Sequence, residues 1–599
     1  MFGFIKYYLK ILNLFKKYLG NRIFIIYFLV LISSIFESIG IVMIIPFISK
    51  LGENNLSTEG NLINSIITKI ITFVGFNDSI SSILIFILLA FIAKGIILFG
   101  SLALSAFLKS RLLYNLKISA FNSINKQKYI NFIEEDTGNI LNVINEQTNR
   151  TLEALKFFIQ TGSQFIIVSV YLLTAALINL NFFILSLLTG LFITLIFNKT
   201  NTYIRNQSRK ISYENGNLSK FLIQAIQSLK YLRSTNQENY TKSKIKASTS
   251  KLVTYQINAS LAQAFIVSIK EPISVLFVLL IVFTQLIIRE KEVTSILVAI
   301  LLFYRATNGI LSIQGWWANT LEYIGSIEIV DNELEKYRLN QESIGGYKFN
   351  SLKKKIELDS INFKYKNEQK KILNNLSMLI DANTSIAIVG DSGAGKSTLV
   401  DIITLCLDPI NGSIFIDNKN GKEIDKSSWR NKIGYVTQDM NLFNESIASN
   451  ISMTNIDRTQ NNSKLMRKII KSAKSANIHD FISELKDGYH TSIGEKGIKL
   501  SGGQKQRIGI ARELYREPLL LILDEATSSL DSKSESEIKK SIESLKGKMT
   551  IIIIAHRLST IKNVDNIFVL KNGYICEQGD FNTLKANKKS VFNSYFIEQ

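Results

Sequence analysis

The chain has 599 residues, 46% of them hydrophobic, with a positive mean hydropathy and a formal net charge of +21. So much apolar side chain argues against an ordinary soluble globular enzyme and for a chain that meets lipid. Two cysteines, Cys406 and Cys576, suggest neither a disulfide framework nor a metal site, and reduced cytosolic thiols are the simpler reading.

The basicity first suggests nucleic acid, but its placement points elsewhere. Residues 200–251 hold ten Lys or Arg against two acids, whereas residues 50–80 hold two lysines against three acids. Positive charge gathered between apolar runs is the signature of cytoplasmic loops in a membrane protein. Nucleic acid is therefore not an expected partner.

In chain order, residues 1–20 mix aromatics with lysines (Phe4, Tyr7, Tyr8, Phe15; Lys6, Lys10, Lys16, Lys17), as an interfacial helix would. A signal peptide is the rival reading, but the apolar run from Ile23 continues to Phe47 without a small-residue cleavage site. A spanning helix needs about 20 mostly apolar residues. Six runs qualify: Ile23–Phe47, Ile80–Phe107, Phe157–Ile178, Phe182–Phe197 (the shortest), Ile257–Ile288 and Val293–Ala318. Of four prolines, three lie outside these runs or at their ends, so long helices are expected. Six spans place both termini on one side, with the basic 200–251 segment facing the cytoplasm and Lys50–Ser79 facing out. The polar stretches 108–156 and 198–256 keep helical periodicity and are expected to extend the spans.

Charges interrupt these runs at Glu37, Lys94, Lys270-Glu271 and Arg305. Each costs about 2.5–3.5 kcal/mol on insertion scales unless paired or wet. Two readings stand: Lys94, Lys270 and Arg305 line a cavity for an anionic head group, or Glu37 and Glu271 neutralise them as structural pairs.

Near 331–355 the chain turns polar, with Gly345-Gly346 and the run Lys353-Lys354-Lys355, and a linker is expected there. Short β-rich runs then alternate with helical patterns, as in an α/β domain. The strand Ser385–Val389 runs into Gly390-Asp391-Ser392-Gly393-Ala394-Gly395-Lys396-Ser397-Thr398. Glycines let such a loop turn its amides toward phosphate, Lys396 reaches the terminal phosphates, and the Ser397 hydroxyl is placed for Mg²⁺. A second apolar strand, Leu519–Leu523, ends in Asp524-Glu525, one carboxylate for the metal and the next for a general base.

Leu500-Ser501-Gly502-Gly503-Gln504 resembles the signature motif of ABC-type ATPases in all five positions. The chain as a whole resembles the half-size bacterial ABC exporters. That resemblance implies an α-helical membrane domain of six transmembrane helices (1–335), a linker (336–355) and an α/β P-loop NTPase domain of ABC type (356–599). It also implies ATP and Mg²⁺, ATPase activity coupled to transport, and a plasma-membrane location with the nucleotide domain in the cytoplasm. By resemblance, Tyr365 stacks on adenine, Gln438 contacts Mg²⁺ and His556 contacts the γ-phosphate. Leu530-Asp531 is the D-loop, with Ser529 where alanine is common. Gly494-Glu495-Lys496-Gly497 is the loop toward the partner's membrane domain, with Lys496 for the commoner arginine. Thr137-Gly138 and Ile226–Arg233 sit where these exporters place loop tips that touch nucleotide domains. One P-loop and one signature motif per chain imply a homodimer. Glu37 with Met43–Ile48, Lys94 and the Tyr304-Arg305 pair resemble lipid-linked oligosaccharide flippases. The expected cargo is therefore an amphipathic anion such as a lipid-linked oligosaccharide or glycolipid; the alternative is a peptide or hydrophobic small molecule.

Overall fold

The computed structural model describes residues 2–44, 47, 80–178, 180–283, 293–343, 345–366, 368–455, 463–525, 532–555, 557–587 and 589–595. Lys50–Ser79, Ser529, Leu530, Asp531 and His556 lie outside the described residues. The chain divides into two compact units: Met1–Gln127 with Glu134–Gln341, and Lys128–Ile133 with Glu342–Gln599.

The first unit is helical. Among the described residues, five helical stretches are long and apolar enough to cross a membrane: Arg22–Val42, Ile80–Asn125, Thr137–Leu177, Phe183–Gln227 and Glu238–Leu280. The sixth predicted span falls in the helix Val293–Glu322. Polar stretches do prolong the helices: Ile80–Asn125 is one helix of 46 residues and Leu180–Gln227 one of 48. The fourth run, short by hydropathy alone, is simply the apolar end of the latter.

Local chemistry sets the breaks. Pro272 cannot donate to the Ser268 carbonyl and its ring crowds that position, so the helix Glu238–Ser268 stops and Lys270–Phe283 begins. The N-terminal helix Phe2–Leu19 buries Ile11, Phe15 and Leu19, a stripe at four-residue spacing that faces protein. Beside it, Tyr8 stacks on Phe158 at 4.4 Å and its hydroxyl meets that of Tyr27 at 2.9 Å. Gly162 leaves room for both hydroxyls, which any side chain there would strike.

The first loop tip differs from expectation. Thr137-Gly138 opens the helix Thr137–Asn142, capped by Asp136 and pressed so closely on the Lys220 backbone that only glycine fits at 138. It is the preceding stretch, Lys128–Ile133, that belongs to the second unit, with Ile130 against that unit's core. The other predicted tip holds a separate short helix, Leu229–Ser234.

The second unit carries two sheets. A four-stranded antiparallel sheet has the order β2-β1-β4-β5, with β1 Lys355–Phe363, β2 Leu373–Asp381, β4 Asn411–Ile416 and β5 Lys419–Asn420. A six-stranded sheet has the order β10-β9-β3-β8-β7-β6. Its strands are β3 Ser385–Gly390, β6 Ile433–Val436, β7 Leu520–Asp524, β8 Thr550–Ile554, β9 Asn566–Lys571 and β10 Tyr574–Gly579. All but β10 run parallel, and β3 and β8 are buried along their whole length, which is why they read as unbroken apolar runs. The C-terminal ends of β3, β6 and β7 therefore deliver their following residues to one edge of the sheet.

Candidate functional site

At that edge, β3 ends at Gly390, where a Cβ would collide with the Leu570 carbonyl of neighbouring β9. The loop then turns through Gly393 (φ 80°) and Gly395 (φ 102°), left-handed positions that favour glycine, and Gly395 caps the helix Lys396–Ile403. The P-loop is thus formed by Gly390, Asp391, Ser392, Gly393, Ala394, Gly395, Lys396, Ser397 and Thr398 at a helix N-terminus. The Lys396 ammonium bonds the carbonyls of Gly390 at 2.8 Å and Asp391 at 2.9 Å. Burial lowers its pKa, while the carboxylates of Glu525, Asp391 and Asp524 oppose that fall. Tyr365 lies against the same helix, its hydroxyl 3.3 Å from that of Thr398.

Three further predicted residues converge here. Gln438, just past β6, donates from Nε2 to Glu525 Oε2 at 2.7 Å. Glu525, just past β7, has φ 49°, a left-handed backbone for a non-glycine residue, pinned by its amide bond to the Ile554 carbonyl at 3.0 Å. Asp524 ends β7 and accepts from the Tyr435 hydroxyl at 3.1 Å. Ser397, Gln438 and Asp524 offer hydroxyl, amide and carboxylate oxygens, the hard donor set that suits Mg²⁺ with water and phosphate completing its shell.

One turn into the P-loop helix, Asp401 has its carboxyl pushed up to about 6, by burial first and then by the Asp524 carboxylate. Because the folded value exceeds the unfolded one, the folded state holds a proton that the unfolded state releases, and stability falls as pH rises from about 4 through that value. Asp401→Asn is therefore expected to stabilise the nucleotide unit at neutral pH by about 1–2 kcal/mol, after discounting for partial exposure. The gain should vanish below about pH 4, where both states are protonated. Melting curves of the full chain across that range check this, and an Asn variant that melts with wild type at every pH contradicts it.

The signature residues are built differently. Ser501 caps the helix Gly502–Tyr515: its hydroxyl accepts from the Gln504 amide at 3.3 Å, and the Gln504 side chain accepts from the Ser501 amide at 2.8 Å. The amides of Gly502 and Gly503 thus open a helix N-terminus. Arg512 fixes this helix through three bonds, to the Asn450 carbonyl and side chain and the Asn441 carbonyl, at 2.8–2.9 Å. Gly509 sits flush against Met440, two residues past Gln438. Among the described residues, Ser501 and Gln504 make no hydrogen bond to the P-loop.

Sequence reasoning passed over two residues at this edge. Tyr435 faces Asp524, a relation that the parallel pairing of β6 with β7 could have suggested. Tyr595, near the C-terminus, donates to Asp391 Oδ2 at 3.1 Å, and burial with that carboxylate pushes its phenol up to about 12. Nothing in the sequence pattern signals that second contact.

In the helical unit, Glu37 is nearly enclosed, its side chain 6% exposed, and one of its oxygens binds both Lys94 Nζ, at 2.8 Å, and Arg305 Nη1. Arg305 also donates to the Tyr171 hydroxyl at 3.4 Å. Lys94 and Arg305 keep 24% and 39% of their side-chain surface exposed. Lys270 lies apart from this group and donates to Ser312 Oγ at 2.9 Å.

Comparison with known proteins agrees with this geometry. The model of the ABC transporter transmembrane region matches residues 23–311, and the ABC transporter model matches residues 373–528. The heterocyst differentiation ATP-binding protein HepA of Nostoc sp. is 31% identical over 468 residues, 78% of this chain and 76% of that protein. A putative multidrug export ATP-binding/permease protein of Staphylococcus aureus is 42% identical over 244 residues, 41% of either chain. In fold, the chain is similar to a bacterial Atm1-family ABC exporter solved with ATP bound, with a TM-score of 0.78 at 22% identity over 97% of this chain and 99% of that one.

Proposed function

We propose, from a chain that belongs to the ABC transporter family as a half-size exporter, that two copies enclose ATP and move an amphipathic anion across the bilayer. The chain is a membrane ATPase coupled to export. The homodimer, the residue roles and the cargo are our reading.

In that reading the P-loop of one copy closes on Ser501, Gly502, Gly503 and Gln504 of the other. The P-loop amides and Lys396 hold the phosphates, with Tyr365 against adenine. Ser397, Gln438 and Asp524 would hold Mg²⁺, which would supply charge neutralisation to the phosphates. Glu525 orients and deprotonates the attacking water, and His556 and Asp531 complete the γ-phosphate side. Gln438 donates to Glu525 from Nε2, which leaves its Oε1 for the metal, so one side chain would link the base to the metal site. The nucleotide unit lies in the cytoplasm and the spans in the plasma membrane.

The anionic cargo rests on one observation: a single enclosed carboxylate, Glu37, faces two cations, Lys94 and Arg305, both partly exposed. One positive charge per chain remains, and two chains suit a doubly charged head group such as that of a lipid-linked oligosaccharide or glycolipid. Lys270, on its own, is a weaker contributor. The multidrug name carried by the Staphylococcus relatives favours the second reading, a hydrophobic small molecule or peptide.

Liposomes holding the purified chain and either a lipid-linked glycan pyrophosphate or an uncharged amphipath with the same tail distinguish the two. The anionic lipid alone should raise ATPase severalfold and change leaflet with ATP, and Lys94→Ala or Arg305→Ala should lose that stimulation. Equal stimulation by the uncharged amphipath favours the second reading.

A further inference from the structure

We infer that Tyr435 is a positioning residue for the metal site: its hydroxyl orients the Asp524 carboxylate that would hold Mg²⁺. The inference rests on the assignment of Asp524 as a metal ligand.

Strands β6 and β7 run parallel, with Tyr435 opposite Ile522 and Val436 opposite Leu523. From that register the phenol reaches two residues along β7 to Asp524 Oδ2, at 3.1 Å. Asp524 itself pairs with Ile554 of β8, so its backbone is held on that side, and the Tyr435 hydroxyl bears on its side-chain torsion. A phenol is suited to this. It donates one hydrogen bond along a rigid ring, and its ring packs on the core beneath the site.

The loop beyond β6 also carries Gln438, three residues on, whose amide is bonded to Glu525. One short stretch thus touches both carboxylates at the end of β7, Tyr435 on Asp524 and Gln438 on Glu525. Outer partners of metal ligands of this kind are worth about 10–100-fold in metal affinity or activity, and a neutral phenol belongs at the lower end of that range.

The test is equilibrium binding of a fluorescent ATP analogue to the full-length protein in detergent, titrated with Mg²⁺ and repeated in EDTA, alongside ATPase at each Mg²⁺ concentration. Tyr435→Phe removes only the hydroxyl. Its half-saturating Mg²⁺ should rise about tenfold, with nucleotide binding in EDTA unchanged and kcat at saturating Mg²⁺ falling by less than the Mg²⁺ shift. Asp524→Asn should shift Mg²⁺ dependence further. A Phe variant with wild-type Mg²⁺ dependence overturns the inference when Asp524→Asn is shifted. So does one that loses EDTA binding and thermal stability without a Mg²⁺ shift, because that is a packing role. An Asp524→Asn variant with unaltered Mg²⁺ dependence instead removes the metal assignment underneath.

Discussion

Glu525→Gln is expected to bind ATP as tightly as wild type and to hydrolyse it at least a hundredfold more slowly. The residue lies at the P-loop edge with Asp524 beside it, and a positioned general base is worth about 10²–10⁴ in rate. Glutamine preserves size and the hydrogen-bonding partner for Gln438, so the fold and the nucleotide pocket should survive. The backbone at this position, φ 49°, is tied through its amide to the Ile554 carbonyl, a hydrogen bond that the substitution leaves intact. Steady-state ATPase beside equilibrium ATP binding measures both halves of the claim. Turnover near the wild-type rate would remove Glu525 from the chemistry.

Glu37→Gln has the second large effect, on stability. Glu37 is the shared counter-ion of Lys94 and Arg305 in an apolar segment. Breaking a buried pair by removing one partner costs about 3–5 kcal/mol, chiefly because a charge is left uncompensated. Here both cations retain some exposure and long stems that can reach water, so a loss of about 2–3 kcal/mol is expected. The double change Glu37→Gln with Arg305→Gln should recover part of it, since one cation fewer is stranded. Melting of the purified variants in one detergent gives the comparison. A single variant that melts with wild type would mean that the carboxylate does not carry this charge balance.

Much of the nucleotide unit was legible in the sequence because its physics is local. Glycines at 390, 393 and 395 are required by a collision with Leu570 or by positive φ, and a buried parallel strand such as β3 or β8 shows as an unbroken apolar run. The helical unit was legible in its spans for the same reason. What escaped depends on distant parts of the chain meeting. No periodicity places Tyr595 on Asp391, 204 residues away; pairing of Glu37 with Lys94 or Arg305 was one of two readings of the charges, but not that one oxygen serves both. Resemblance put the first loop tip at Thr137-Gly138, whose glycine answers to the Lys220 backbone, whereas the stretch just before it, Lys128–Ile133, groups with the nucleotide unit. Tyr435 lies three residues before Gln438, but its contact with Asp524 follows from which strand lies beside β6.

The central claim is that each nucleotide site is completed by a second copy: Lys396 from one chain and Ser501 from the other. Chains carrying Glu525→Gln, to hold ATP without turnover, can be given either Lys396→Ala or Ser501→Arg and then mixed before assembly. Each variant alone should occlude no ATP, whereas the mixture should occlude one ATP for each mixed pair, because one site of that pair is built only from intact motifs. A mixture that occludes no more ATP than the separate variants would contradict the account.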